Sequence, residues 1–270
     1  RDRFGATRRA LLEGRLASLQ GDWRAANNAY DQALLGAREV ADEALIAAAR
    51  RGHTHSLLHQ GRLADFDESL GELEAAEAAV LRGELYRLLY LFDAAAREHR
   101  RALDADPDSL ERRLALALDH LSAGNSRAGK RLLAETVWPP APSLELELDY
   151  RRARVLVTLI EHKPARETEL QRYRELAEDA DAVVHRALAA KDAAAGLVLD
   201  GDLATARELV DGALTREPPA IVGWQLQFFA GLLAGREGDA AARGELFGRA
   251  LRSLEDFRRR LPDAELQRRL

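Results

Sequence analysis

The sequence predicts an all-α fold, a single array of antiparallel helix pairs spanning residues 1–270 in about seven units. Three observations carry that prediction. Residues 76–109 and 110–143 are consecutive blocks of equal length whose small, aromatic and proline positions recur in the same order. Apolar residues make up 47% of the chain and charged residues 31%, while aromatics are only 6%; that balance suits amphipathic helices whose cores are filled by Leu and Ala. A chain of 270 residues without a Pro/Gly/Ser-rich linker exceeds one ordinary core, and a quasi-one-dimensional array removes the conflict because each unit packs only on its neighbours.

Taken in order, the first unit (7–40) has Gly14 at a close-approach position of its first helix. Gly21-Asp22-Trp23 makes the turn, and Ala26, Tyr30 and Ala33 line the second helix. The second unit (42–75) follows by periodicity, with a turn at Gly61. The interval from Gly61 to the next turn, at Tyr90, is short, so near Gly71 either two helices fuse or residues are missing from the chain. The third (76–109) carries Gly83 and Tyr86, then Phe92, Ala95 and Ala102. Pro107 ends its second helix for want of an amide hydrogen, and Asp108 or Ser109 can cap the next. The fourth (110–143) has Leu116 and Ala117, a turn at Gly124, Gly129 facing its partner helix, and a closing cluster of Pro139, Pro140 and Pro142. The fifth (144–181) again rests on periodicity. The sixth (182–218) turns at Gly201-Asp202-Leu203 before Ala206, Ala213 and Pro218. The seventh (220–256) turns at Gly238-Asp239-Ala240 before Phe247 and Ala250. Residues 262–270, opening on Pro262, read as a capping helix or the start of another unit.

These positions resemble the tetratricopeptide repeat, a helix, a turn and an antiparallel helix in thirty-four residues. The likeness is densest at 7–38, 76–109 and 182–218. It departs from the pattern in having no Trp at the start of any unit, Glu13 and Arg82 where an apolar residue is usual, and Arg243 in place of a small one. The uneven spacing is similar to the repeat arms of large bacterial transcription activators and related signalling proteins. The resemblance implies a right-handed superhelix acting as a non-catalytic protein-interaction or effector-sensing module, part of a larger bacterial regulatory protein. The alternative is a self-contained scaffold or adaptor subunit of a secretion, pilus or envelope assembly.

In such superhelices the first helices line the concave face. Helical spacing puts Arg8, Arg15, Glu84, Arg87, Arg152 and Lys191 on that face, with Leu114, Leu118 and Leu121 as an apolar floor. An arginine-bearing groove suits acidic or C-terminal carboxylate groups, which guanidinium forks bind through paired hydrogen bonds. The Lys/Asn clamp of chaperone-binding repeats is absent, because Leu11 and Arg15 stand in its place.

Composition narrows the function further. Cysteine is absent, which excludes disulfides and thiol catalysis, and methionine is absent too. Lys130, Lys163 and Lys191 are the only lysines among forty basic residues, a bias expected of a G+C-rich bacterial genome. A net charge of −5 argues against direct nucleic-acid contact. No apolar run is long enough for a membrane span or a secretory signal, so a cytoplasmic protein with a protein, peptide or small-effector partner is expected. Because it opens on Arg1, the chain is expected to be a piece of a longer protein or an edited one.

Three motifs look chemical. Gly124-Asn-Ser-Arg-Ala-Gly129-Lys130 matches part of a phosphate-binding loop, but Arg131 stands where Ser or Thr would meet Mg²⁺ and the preceding segment reads as helix. His55 and His59 share a helix face beside His53, yet the spacing offers no third metal ligand. The acidic run Asp65, Asp67, Glu68, Glu72, Glu74 and Glu77 reads as a solvated face. No catalytic residue, cofactor or metal is expected.

Overall fold

The computed structural model describes residues 3–162, 166–179 and 181–261; the element expected at 262–270 lies outside them. The described residues form α-helices without strands, joined mostly by short turns and, at 135–143, by a longer proline-bearing segment. They pair as α1 (Arg3–Gln20) with α2 (Trp23–Glu39), α3 (Glu43–His59) with α4 (Leu63–Leu70), and α5 (Ala75–Leu88) with α6 (Phe92–Ala105). There follow α7 (Leu110–Ser122) with α8 (Ser126–Ala134), α9 (Leu144–Ile160) with α10 (Arg166–Asp179), α11 (Val183–Asp200) with α12 (Leu203–Thr215), and α13 (Ala220–Arg236) with α14 (Ala240–Arg260).

One local device makes the hairpins. Gly21, Gly61, Gly124, Gly201 and Gly238 all have φ between +70° and +84°, and Tyr90 takes the same region at +61°. A left-handed residue at the helix end turns the chain back and lets the next amide reach the last turn of the helix just finished. Asp22 N–H thus donates to the Ala17 carbonyl at 2.9 Å, and Asp202 and Asp239 repeat the bond to Leu197 and Ala234. The same aspartates then cap the following helix: Asp22, Asp202 and Asp239 accept from Ala25, Thr205 and Ala242 N–H at 3.0, 3.1 and 2.9 Å. Ala41 and Asp181, also at positive φ, make the equivalent turn between units.

Register follows from the turn. Nine residues after the left-handed residue of each of these six hairpins comes a side chain aimed at the first helix: Tyr30, Leu70, His99, Leu133, Val210 and Phe247. The helices come close because the facing position is often glycine. A Cβ at Gly14 would lie 2.7 Å from the Tyr30 ring, one at Gly83 2.6 Å from His99, and one at Gly231 2.6 Å from Phe247. Such overpacking costs on the order of 1–3 kcal/mol.

The short interval near Gly71 is not a fusion of two helices. Helix α4 is an eight-residue helix that ends at Leu70, and amides of Gly71, Glu72 and Leu73 bond back to Glu68, Ser69 and Leu70 before α5 begins.

The array also closes on itself. One apolar core contains Leu57, Leu58, Leu81, Leu85 and Leu88 from the second and third pairs together with Leu188, Ile221, Leu226 and Phe257 from the sixth and seventh. Gln225 Nε2 donates to the Leu88 carbonyl at 2.9 Å, and the Trp224 and Tyr90 rings meet edge to face at 4.9 Å. No described helix is long and apolar enough to cross a membrane.

Candidate functional site

The inner face of the array carries a chain of buried polar groups, and its best-organised part lies between α3 and α5. Leu57 and Leu58 bury one side of α3, which turns His55 and His59 toward α5. Leu81 and Leu85 anchor α5 in the shared core and leave Glu84 facing the two imidazoles. His55 Nε2 lies 3.1 Å and His59 Nε2 3.3 Å from Glu84 Oε1, and the two Nε2 atoms are 3.2 Å apart. Trp23 stacks on His59 with ring centroids 4.7 Å apart and planes 12° from parallel. His59 is almost wholly enclosed, whereas the His55 side chain is 33% exposed and that of Glu84 20%.

The charges in this cluster are coupled. Burial alone would raise the Glu84 carboxyl, but His55 and then His59 override it and hold it well below the usual carboxylate range. Burial disfavours a charged His55, yet the Glu84 carboxylate prevails and raises its pKa. His59 is pushed down, by burial first and by His55 second. The sequence pairs the histidines without a third partner. Helix α4 separates Glu84 from them in the chain, and their common place on the inner stripe of successive first helices is the signal that joins all three.

The other residues expected to line a groove divide into three groups. Glu84, Arg87, Arg152 and Lys191 face inward but are held by the protein itself. Arg87 donates to the Ala115 carbonyl at 3.2 Å and to Asp119 at 3.4 Å, while His99 meets the other Asp119 oxygen and donates from Nε2 to the Val80 carbonyl. Arg152 bonds Asp192 at 3.2 Å; burial opposes its charge, but Asp192 outweighs that and raises the guanidinium pKa. Lys191 reaches Tyr90 Oη and Gln225 Oε1 at 3.3 and 3.2 Å. Arg8 and Arg15, on α1, are exposed, with Arg8 4.2 Å above the Phe4 ring.

Leu114, Leu118 and Leu121 require a correction. They are 1%, 0% and 2% exposed and pack on Ala153, Leu146, Tyr150 and Val157 of α9. Helix α8 is only nine residues long, so α9 packs directly on α7 and covers the stripe that would have been a floor.

The phosphate-loop look-alike is a helix turn. Gly124 is left-handed, Asn125 accepts from Ala128 N–H at 3.2 Å to cap α8, a Cβ at Gly129 would meet Leu121, and Lys130 pairs with Glu161. The acidic run is partly neutralised: Asp65 pairs with Arg62, Glu72 with Arg50, and Glu77 with Arg51 and Arg112.

No family model and no curated protein matches this chain. Among solved structures it is similar to a tetratricopeptide repeat protein from Parabacteroides merdae, at 15% identity and a TM-score of 0.50, over 98% of this chain and 99% of that one. At that identity the likeness speaks to the fold alone, and the fold is that of a tetratricopeptide-like helical repeat.

Proposed function

We propose that the chain is a non-catalytic protein-interaction module, and that it meets its partner on the outward face of α1. One observation carries this reading. Thr7, Ala10, Leu11 and Gly14 bury one side of α1, while the other presents Phe4, Leu12 and Leu16 at four- and eight-residue spacing, with Leu12 62% and Leu16 53% exposed. An apolar stripe on a helix already anchored behind is the kind of surface that takes an amphipathic partner helix. Arg8 lies within the stripe, one turn from both Phe4 and Leu12 and over the Phe4 ring, and Arg9 and Arg15 lie beside it, so the fitting partner carries carboxylates among its apolar anchors. Arginine bias and irregular repeats favour a home in a bacterial regulatory protein of the cytoplasm. Flanking nucleotide- or DNA-binding domains in the reading frame would support that part of the proposal, and their absence would remove it.

Proteins that co-purify with this chain from its source organism provide the test. Leu12→Asp/Leu16→Asp should remove a specific partner, whereas Leu251→Asp, an exposed apolar site on α14, should retain it. Equal loss in both variants would overturn the α1 assignment.

A second reading, a scaffold or adaptor subunit of a secretion, pilus or envelope assembly, is favoured by the closure of the array. Contacts between Gln225 and Leu88 and between Lys191 and Tyr90 fix the curvature, which suits a rigid spacer better than a sensor that flexes. Small-angle scattering with and without partner separates them: an unchanged radius of gyration supports the scaffold, a changed one the sensor.

A further inference from the structure

We propose that His55, His59 and Glu84 form a binding site for one divalent transition cation of the zinc type, linking the second helix pair to the third. Two imidazole nitrogens and one carboxylate oxygen are a donor set that suits Zn²⁺, Co²⁺ and their neighbours and suits Mg²⁺ or Ca²⁺ poorly. Distances within the cluster agree. A tetrahedral ion with ligands at about 2.05 Å sets neighbouring ligand atoms about 3.3 Å apart. The three separations here are 3.1, 3.2 and 3.3 Å.

Protons alone serve this triangle badly. If both Nε2 atoms carry hydrogens, each can donate to Glu84, but their own 3.2 Å contact then sets two donors side by side. If either lacks its hydrogen, a lone pair faces the carboxylate. A single cation at the centre satisfies three lone pairs at once.

The frame is rigid, as a selective site requires. Both histidines lie on consecutive turns of α3, Trp23 fixes the plane of His59, and Glu84 stands on α5 between Leu81 and Leu85 in the main core. Partial exposure of His55 and Glu84 leaves the cluster open to solvent, the route by which an ion and a fourth, water ligand would enter. Asp149 acts on His55 with the sign that favours a cation; Arg51, which opposes one, is already paired with Glu77 and Glu111. The inference is independent of the partner surface on α1.

The full chain, stripped of metal with a chelator and exchanged into metal-free buffer, is titrated with CoCl₂ and then with ZnCl₂. The expected result is one Co²⁺ per chain with the visible absorption of a four-coordinate ion, displaced by Zn²⁺, together with quenching of tryptophan fluorescence by Co²⁺ that Trp23→Phe reduces, and a higher melting temperature with Zn²⁺. Glu84→Gln and His55→Gln, both conservative and checked for helicity by circular dichroism, should each weaken binding by about tenfold or more. His53→Gln and His120→Gln should leave it unchanged. No uptake by the unaltered chain, or uptake that Glu84→Gln and His55→Gln leave intact, would overturn the site. If a variant fails to fold, the Co²⁺ spectrum of the unaltered chain decides: six-coordinate absorption counts against the proposal.

Discussion

Arg152 and Asp192 are both nearly solvent-free and pair at 3.2 Å, with Lys191 3.6 Å from the other Asp192 oxygen. Removing one partner of a buried pair leaves the other desolvated, and Arg152→Ala should cost about 3 kcal/mol in urea denaturation. The double change Arg152→Met/Asp192→Leu should recover most of that, because it removes both charges while keeping volume. A double variant as unstable as the single one would mean that packing, not charge, holds this position. His185 behaves in the opposite sense. Burial lowers its pKa, despite an opposing pull from Asp149, while Tyr173 Oη sits 3.0 Å from its Nδ1. As pH falls below about 6.5 the unfolded chain takes up a proton that the folded chain refuses until its lower pKa, so this residue removes stability on acidification. Denaturation at pH 7.5 and 5.5 should show a smaller loss in His185→Gln than in the unaltered chain; equal losses would exclude His185 as the source. Neither role is legible in the sequence, where Arg152 is one inward arginine and His185 one isolated histidine.

At the scale of elements, the turns are the most legible part. Gly21, Gly61, Gly124, Gly201 and Gly238 stand out because a tight reversal needs positive φ, and all five have it. The turns at Ala41 and Asp181 go unmarked, since an alanine gives no sign of a left-handed backbone and an aspartate adopts one only occasionally. The same physics makes two glycines respond in opposite directions. Gly124 has φ +79° and no neighbour within reach of a Cβ, so Gly124→Ala isolates the backbone cost and should lose about 1 kcal/mol. Gly212, inside α12 with equally open surroundings, should gain about 0.5–1 kcal/mol on change to Ala through helix propensity. Thermal denaturation of the two variants checks both signs, and a stabilising Gly124→Ala would contradict the turn geometry. His99 shows the limit of pattern reading. It fills the inward slot that Tyr30 and Phe247 fill elsewhere, nine residues past the turn, yet a histidine among arginines looks like surface.

For the whole molecule, the decisive feature is contact between early and late units. Gln225 ties α13 to the end of α5 and also accepts from Lys191. Gln225→Ala should cost about 1–3 kcal/mol and raise hydrogen exchange in α5 as well as in α13, because a buried carbonyl and an ammonium both lose a partner. Exchange faster in α13 alone would show that closure does not depend on this bond. Closure also explains why the inner stripe was only half legible. Helical spacing groups Glu84, Arg87, Arg152 and Lys191 on one stripe, but it gives no sign of the partners that hold them, His55, Asp119, Asp192 and Tyr90, which come from other elements. By itself the sequence determined the helices, their glycine-marked turns and the repeat-like fold, because capping, left-handed glycines and small-residue packing act within one unit. Only the tertiary structure decided how tightly the array curves. Curvature sums small rotations over many interfaces, and that sum brings Gln225 to Leu88 and joins the early and late units in one core, while packing between neighbouring pairs buries Leu114, Leu118 and Leu121 and brings Glu84 to His55 and His59.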